Sequence, residues 1–150
     1  MGRANREACA QIAFDTKAKT WEVIVPKQVV TSVSVDYDPN EAISFTAYRE
    51  SLVLVADIHS HHKMLPFYSC TDDADEVGVR LYGVLGNLRG TSYDIIFRAG
   101  AGGHFVRIPA EDILEGYAER NSSSDRLFSG QNVPSGWFKK ITLLDNAAYK

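Results

Sequence analysis

The chain has 150 residues, 45% hydrophobic and 23% charged, which is typical of a soluble globular domain with one core. Its net charge of −3 leaves no excess of Lys and Arg for phosphate groups and disfavours a nucleic-acid-binding protein. No apolar run approaches the roughly 20 residues of a membrane span. The two cysteines, Cys9 and Cys70, form no Cys-x-x-Cys pair. We expect one cytoplasmic domain over 1–150, with a polar loop and C-terminal extension from about 121–150.

The first half of the chain reads as a series of strands. Residues 7–14 and 20–25 are two strand candidates joined by a polar turn, and in the second of them Trp21 and Val23 alternate with Glu22 and Ile24. Residues 30–38 alternate in the same way and predict a third strand. The nearly continuous apolar run at 51–59, "SLVLVADIH", predicts a central strand that is covered on both faces.

A short helix is expected after this strand. Ser69 and Asp72 form a Ser-x-x-Asp pattern that resembles a capping box, which places the start of a helix near Thr71. The acidic residues at 72, 73, 75 and 76 suit the positive end of its dipole.

The second half predicts a buried strand at 80–88, then a hairpin of 92–98 and 104–109 around the glycine turn "AGAGG". Residues 110–120 predict a short amphipathic helix that turns Ile113, Leu114 and Tyr117 inward. Residues 121–136 read as a polar loop, and 137–150 as a strand or a packed tail. Strands and helices mix without strict alternation, so the predicted class is α/β of the mixed α+β kind.

Three of the four histidines, His59, His61 and His62, crowd at the end of the central strand. Because strand side chains alternate, His59 and His61 share a face about 6–7 Å apart along the chain, while His62 points the other way. Two imidazoles so placed can bind one zinc ion, and Asp72 at the helix start can be the third ligand. Three protein ligands and an open position are typical of a catalytic zinc site, whereas structural zinc has four ligands.

The spacing His-Ser-His, seven residues, Ser, two residues, Asp resembles the JAMM motif of the JAB/MPN metalloproteases. The prokaryotic branch looks nearest, in particular the plasmid- or cassette-encoded subfamily called PRTRC system protein A. Members often carry Pro after the second histidine, where this chain has His62. The resemblance implies a central mixed β-sheet flanked by helices, in a cytidine-deaminase-like layered architecture, with one zinc per chain.

The resemblance also implies a general base and an oxyanion donor. The base would be a glutamate on a strand before the histidines, and Glu7 stands in the right order. Glu22 is on the next strand and would reach the metal only in a different register. Glu50 precedes the opposite end of the histidine strand, more than about 20 Å from the metal. Ser69 would donate a hydrogen bond to the oxyanion, and its alternative role is that of an N-cap. We assign no role to His62 and His104, and Cys70 is expected to be a packing residue.

The implied activity is zinc-dependent hydrolysis of a peptide or isopeptide bond after the C-terminus of a ubiquitin-like protein. In a prokaryotic member, the partner would be a ubiquitin-like or sulfur-carrier protein made alongside a ThiF-like activating enzyme. The main alternative is a non-catalytic MPN-type scaffold or binding module. A zinc deaminase is set aside, since the chain contains neither a His-x-Glu nor a Pro-Cys-x-x-Cys motif.

Overall fold

A computed structural model of the protein describes residues 6–31, 34–37, 50–89, 92–117 and 139–143. Its main element is a six-stranded sheet. The strands are β1 (Cys9–Asp15), β2 (Thr20–Ile24), β5 (Leu52–Ser60), β6 (Arg80–Arg89), β7 (Ser92–Ala101) and β8 (His104–Ile108). They lie in the order β2-β1-β5-β6-β7-β8. A second sheet has the order β4-β3-β9, formed by β3 (Gln28–Val30), β4 (Val35–Tyr37) and β9 (Ile141–Leu143).

The central strand β5 pairs antiparallel with β1 on one side and parallel with β6 on the other. A parallel pair cannot be joined by a tight turn, so the chain between β5 and β6 has to cross back over the sheet. Helix α1 (Cys70–Asp75) lies in this crossover. The predicted central strand and the predicted helix start are therefore confirmed. Val53 on β5 is nevertheless half exposed, so the covering of both faces is less complete than predicted.

Residues 32, 33 and 38 of the strand predicted over 30–38 lie outside the described part. The strand is confirmed at 35–37, which form β4, but a single strand is wrong, because Val30 ends β3 and these two strands pair antiparallel with Val30 opposite Val35. The turn between them is closed by a hydrogen bond from the Thr31 amide to the Ser34 carbonyl. Apolar and polar residues alternate through most of 30–38, so the sequence pattern gives no sign of the turn. The side-chain amide of Gln28 fastens β3 to β1 by bonding both the amide and the carbonyl of Cys9.

Strand β2 forms an edge of the main sheet, where Trp21 and Val23 are 64% and 49% exposed. Exposure alternates from Trp21 to Ile24 as the sequence predicts, but the large apolar residues Trp21 and Val23 are on the exposed side. At the other edge the predicted hairpin is confirmed, although β7 continues through Ala101 and the turn shortens to Gly102 and Gly103. Both glycines have positive φ, as the tight turn between twisted strands requires.

Helix α2 (Ala110–Ile113) packs against β7 and covers Ile95 and Phe97. Ile113, Leu114 and Tyr117 join this cluster, as predicted. The helix is shorter than the predicted 110–120, since Leu114 is extended and Gly116 adopts a positive φ. Residues 118–120 lie outside the described part.

The mixed sheet with few helices in the described residues confirms the α+β class. The cytidine-deaminase-like layering stays a prediction, and so does a single domain over 1–150. Of the predicted loop and extension, only β9 and the two residues before it fall within the described part, and β9 pairs parallel with β3. Neither helix described in the structure is long and apolar enough to cross a membrane.

Candidate metal centre

The two histidines of the motif converge at the end of β5. His59 lies on the strand and His61 directly follows it, and their Nε2 atoms are 3.1 Å apart. His61 is only 5% exposed, and its ring packs edge-on against Phe67 with the ring centres 4.5 Å apart. The amide of His61 donates to the Leu85 carbonyl of β6, so the second histidine is fixed by the neighbouring strand.

The capping box of α1 directs Asp72 toward this pair. Asp72 Oδ2 accepts hydrogen bonds from the amide and the hydroxyl of Ser69, at 2.6 and 2.7 Å. In return, the Asp72 amide donates to Ser69 Oγ at 3.2 Å. The other carboxylate oxygen, Oδ1, lies 3.5 Å from His59 Nε2. The predicted capping box is thus confirmed, and it leaves one carboxylate oxygen facing the histidines.

These three side chains fit a zinc ion. One ligand atom from each of His59, His61 and Asp72 lies within 4.8 Å of the others. Two nitrogens at 2.0–2.1 Å from a tetrahedral zinc would be about 3.3 Å apart, close to the observed 3.1 Å between the two Nε2 atoms. Two imidazoles and one carboxylate are also a donor set that zinc accepts, with one position left open.

The histidines have the protonation state that ligation needs. Burial lowers the pKa of both His59 and His61 from the ordinary 6.5, although the negative charge of Asp72 partly opposes this change. Both imidazoles are therefore neutral at neutral pH, and a neutral imidazole is the form that binds metals.

Glu7 lies at the same end of the sheet. Cys9 of β1 pairs with His59, and the Ser60 amide donates to the Ala8 carbonyl, so continuing this register brings Glu7, two residues before β1 begins, level with His61. Glu7 is 8% exposed, and its amide donates to the Thr31 carbonyl. Burial, and secondly the charge of Asp72, raise the pKa of Glu7 from 4.5 to about 7.

The two other candidate glutamates lie elsewhere. Glu22 pairs with Ala13, which in turn pairs with Leu54. Leu54 precedes His59 by five residues, which places Glu22 about 16 Å away along the strand direction. Glu50 comes before β5 begins, at the end opposite to the histidines. The geometry thus brings Glu7 alone of the three to this end of the sheet, and its role as a base stays a prediction.

The remaining polar residues that the sequence singled out are not part of the centre. His62 has a φ of 52°, a conformation that proline cannot adopt, so the departure from the family pattern at this position is built into the backbone. Cys70 is exposed at the start of α1, where a packing role is not seen. His104 is exposed at the start of β8.

Sequence reasoning missed Arg98, a buried residue of β7 that forms ion pairs with Asp73 and Glu76 beside the centre. A signal was present, because Arg98 closes the otherwise apolar stretch "IIFR". A charged residue in a buried strand needs a partner, and the sequence does not say which acid supplies it.

A family model described as prokaryotic homologs of the JAB domain matches residues 2–100. This range contains Glu7, both histidines, Ser69 and Asp72. The chain therefore belongs to the prokaryotic JAB domain family, as the motif spacing predicted. No curated protein matches the sequence with significant similarity. The narrower likeness to PRTRC system protein A stays a prediction.

Proposed function

We propose that this JAB domain is a zinc-dependent metallopeptidase that hydrolyses a peptide or isopeptide bond, with one zinc per chain. The observation that carries the proposal is the convergence of His59, His61 and Asp72 within 4.8 Å, at the sheet end that also holds Glu7. A non-catalytic scaffold has no need of a buried glutamate at the sheet end that carries the two histidines.

The chain's own residues would divide the work of amide hydrolysis. His59, His61 and Asp72 would hold zinc, which when bound lowers the pKa of water toward about 7 and polarises a carbonyl. Glu7 would accept a proton from the attacking water and deliver it to the leaving amine as the C–N bond breaks. In the metal-free chain, burial raises the pKa of Glu7 from 4.5 to about 7, and a raised carboxyl pKa is the direction in which a general base for work near neutral pH is tuned.

Ser69 would have a part in positioning Asp72, because its hydroxyl hydrogen is directed to Asp72 Oδ2. The oxyanion role that the family resemblance implies would require this hydrogen to turn toward the substrate. Both roles use the same hydroxyl group, so a substitution that keeps the hydroxyl should preserve both.

The substrate we propose is the C-terminal tail of a ubiquitin-like or sulfur-carrier protein, and a ThiF-like activating enzyme would be a further partner. Three exposed apolar side chains follow His61 in the chain, those of Met64, Leu65 and Phe67. Phe67 contacts the His61 ring directly. This apolar surface beside the metal ligands supports binding of a peptide that carries hydrophobic residues near its cleaved bond.

The test begins with the metal content of the purified protein, measured by mass spectrometry beside His61→Ala and His104→Ala. We expect about one zinc per chain in the wild type and in His104→Ala, an exposed histidine that serves as the matched control, and none in His61→Ala. A wild type that binds no zinc even when zinc is supplied would contradict the metal centre.

The second step is cleavage of a ubiquitin-like protein that carries a fluorogenic amide at its C-terminus. Glu7→Gln should retain zinc and lose about 100- to 10,000-fold in rate, as expected when a general base is removed. Zinc binding without turnover by the wild type across such substrates would favour the scaffold.

A further inference from the structure

Helix α1 carries the carboxylate of the metal centre but has little means of holding its own position. It has six residues, fewer than an isolated helix needs to be stable in water, and none of them is buried. The position of Asp72 relative to His59 must therefore be set by contacts from outside the helix.

Arg98 supplies such contacts from β7. Its Nη1 atom donates to Asp73 Oδ1 at 2.6 Å, and its Nε atom donates to Glu76 Oε2 at 2.8 Å. Nη2 lies 2.6 Å from the same Glu76 oxygen. Asp73 follows Asp72 directly and Glu76 is the C-cap of α1, so one guanidinium group binds both the middle and the end of the helix.

The segment that enters the helix is held by the same side chain. The guanidinium of Arg98 lies over the ring of Tyr68, 3.9 Å from its centre, and over Phe105 at 3.6 Å. Tyr68 immediately precedes the N-cap, and the single hydrogen of its hydroxyl is shared between two carbonyls of the main sheet, that of Tyr82 at 2.8 Å and that of Ile96 at 3.2 Å. Arg98 thus contacts the chain on both sides of Asp72.

We propose that Arg98 is a positioning residue of the metal centre, which fixes α1 on the sheet so that Asp72 Oδ1 faces the histidines. This inference rests on the proposed zinc site. Arg98 forms no hydrogen bond, ion pair or ring contact with either histidine or with Asp72 among the described residues, although, besides burial, its charge contributes to the lowered pKa of His59. Its positioning contacts are those with Asp73, Glu76 and Tyr68. A planar, bidentate guanidinium suits this task better than a single ammonium group.

The experiment measures zinc affinity by competition with a chromophoric chelator. Arg98→Met keeps most of the apolar stem and should weaken zinc binding about 10- to 100-fold, the usual effect of losing a group that orients a metal ligand. In an Asp72→Asn background, Arg98→Met has no carboxylate left to position. There it should lower the urea midpoint of unfolding without weakening zinc binding any further.

A matched pair of neutralising substitutions covers the case in which Arg98→Met does not fold. Asp73→Asn and Asp75→Asn each remove one negative charge from an exposed residue of α1, but only Asp73 binds Arg98. We expect Asp73→Asn to weaken zinc binding clearly more than Asp75→Asn.

Equal effects of the two substitutions, or a folded Arg98→Met with wild-type affinity, would overturn the inference while leaving the zinc site intact. A wild type that binds no zinc would instead remove the proposed function, and the inference with it.

Discussion

The loop that follows His61 is held against β6 so closely that only glycine fits at position 86. A Cβ atom added to Gly86 would lie 2.4 Å from the Pro66 nitrogen and 2.5 Å from the Met64 carbonyl oxygen, and both of these are backbone atoms. Ordinary contacts of a Cβ atom begin near 3.4 Å. In Gly86→Ala the loop would therefore have to retreat by about 1 Å, as in an overpacked core.

Moving the loop away would stretch the hydrogen bonds that hold it on β6. The amide of Asn87 donates to the Met64 carbonyl at 2.6 Å, and the amide of Leu88 donates to the His62 carbonyl at 2.7 Å. Overpacking costs about 1–3 kcal/mol and loss of one such bond about 1 kcal/mol, so we expect Gly86→Ala to lower the free energy of unfolding by about 2–4 kcal/mol. Because the loop begins at His61, zinc affinity should fall as well.

The assay is urea-induced unfolding followed by circular dichroism, with a chelator present so that metal binding does not contribute to stability. Gly78→Ala is the matched control. Its added Cβ would lie 2.8 Å from Arg80, but from the guanidinium end of a flexible side chain that can move away. The added Cβ would meet Nε and Nη2 of Arg80, whereas the ion pair with Asp57 uses Nη1, so a small shift of the guanidinium can relieve the contact. If Gly86→Ala is no more destabilising than Gly78→Ala, the argument from backbone contact is refuted.

Two further predictions concern the metal centre. Ser69→Ala removes the N-cap and the hydroxyl bond to Asp72, so it should cost about 1 kcal/mol in the free energy of unfolding and weaken zinc binding. Ser69→Thr keeps the hydroxyl, and equal losses in both variants would contradict this role. Glu7 has a pKa of about 7 in the folded, metal-free chain against 4.5 ordinarily, so between these pH values the native state binds more protons and stability falls as pH rises. Glu7→Gln should therefore gain stability relative to the wild type from pH 5 to pH 8 with chelator present, and parallel urea midpoints across this range would contradict the burial of an ionisable Glu7. The lowered histidine pKa values oppose this trend in both proteins and cancel in the comparison.

The sequence alone determined the local elements and the ligand spacing. A nearly continuous apolar run favours a buried element, and the run at 51–59 became the central strand β5, although Val53 is half exposed. Ser69 and Asp72 satisfy each other's backbone within four residues, so the start of α1 could be predicted without any tertiary contact. His59 and His61 share a side because of strand alternation, a property of the backbone itself.

The tertiary structure decided which distant residues meet. Glu7 comes level with His61 because β1, which begins two residues later, pairs antiparallel with β5 in one particular register, and a shift of one residue would turn Glu7 away. The length of the histidine strand already excluded Glu50, but only strand pairing separated Glu7 from Glu22. The hairpin of β3 and β4 was hidden for a related reason, since both of its arms carry the same alternation and only the Thr31–Ser34 bond marks the turn.

Arg98 shows most directly what could not be predicted from the sequence. A charged residue at the end of an apolar stretch predicts a buried partner, but the partners are 25 and 22 residues away in the sequence and among several acids close together. Which of them it binds depends on how the crossover folds over β6 and β7. Local pattern therefore determined the ligands of the proposed centre, while long-range packing determined what holds them in place, because ion pairing and strand register are properties of the assembled sheet.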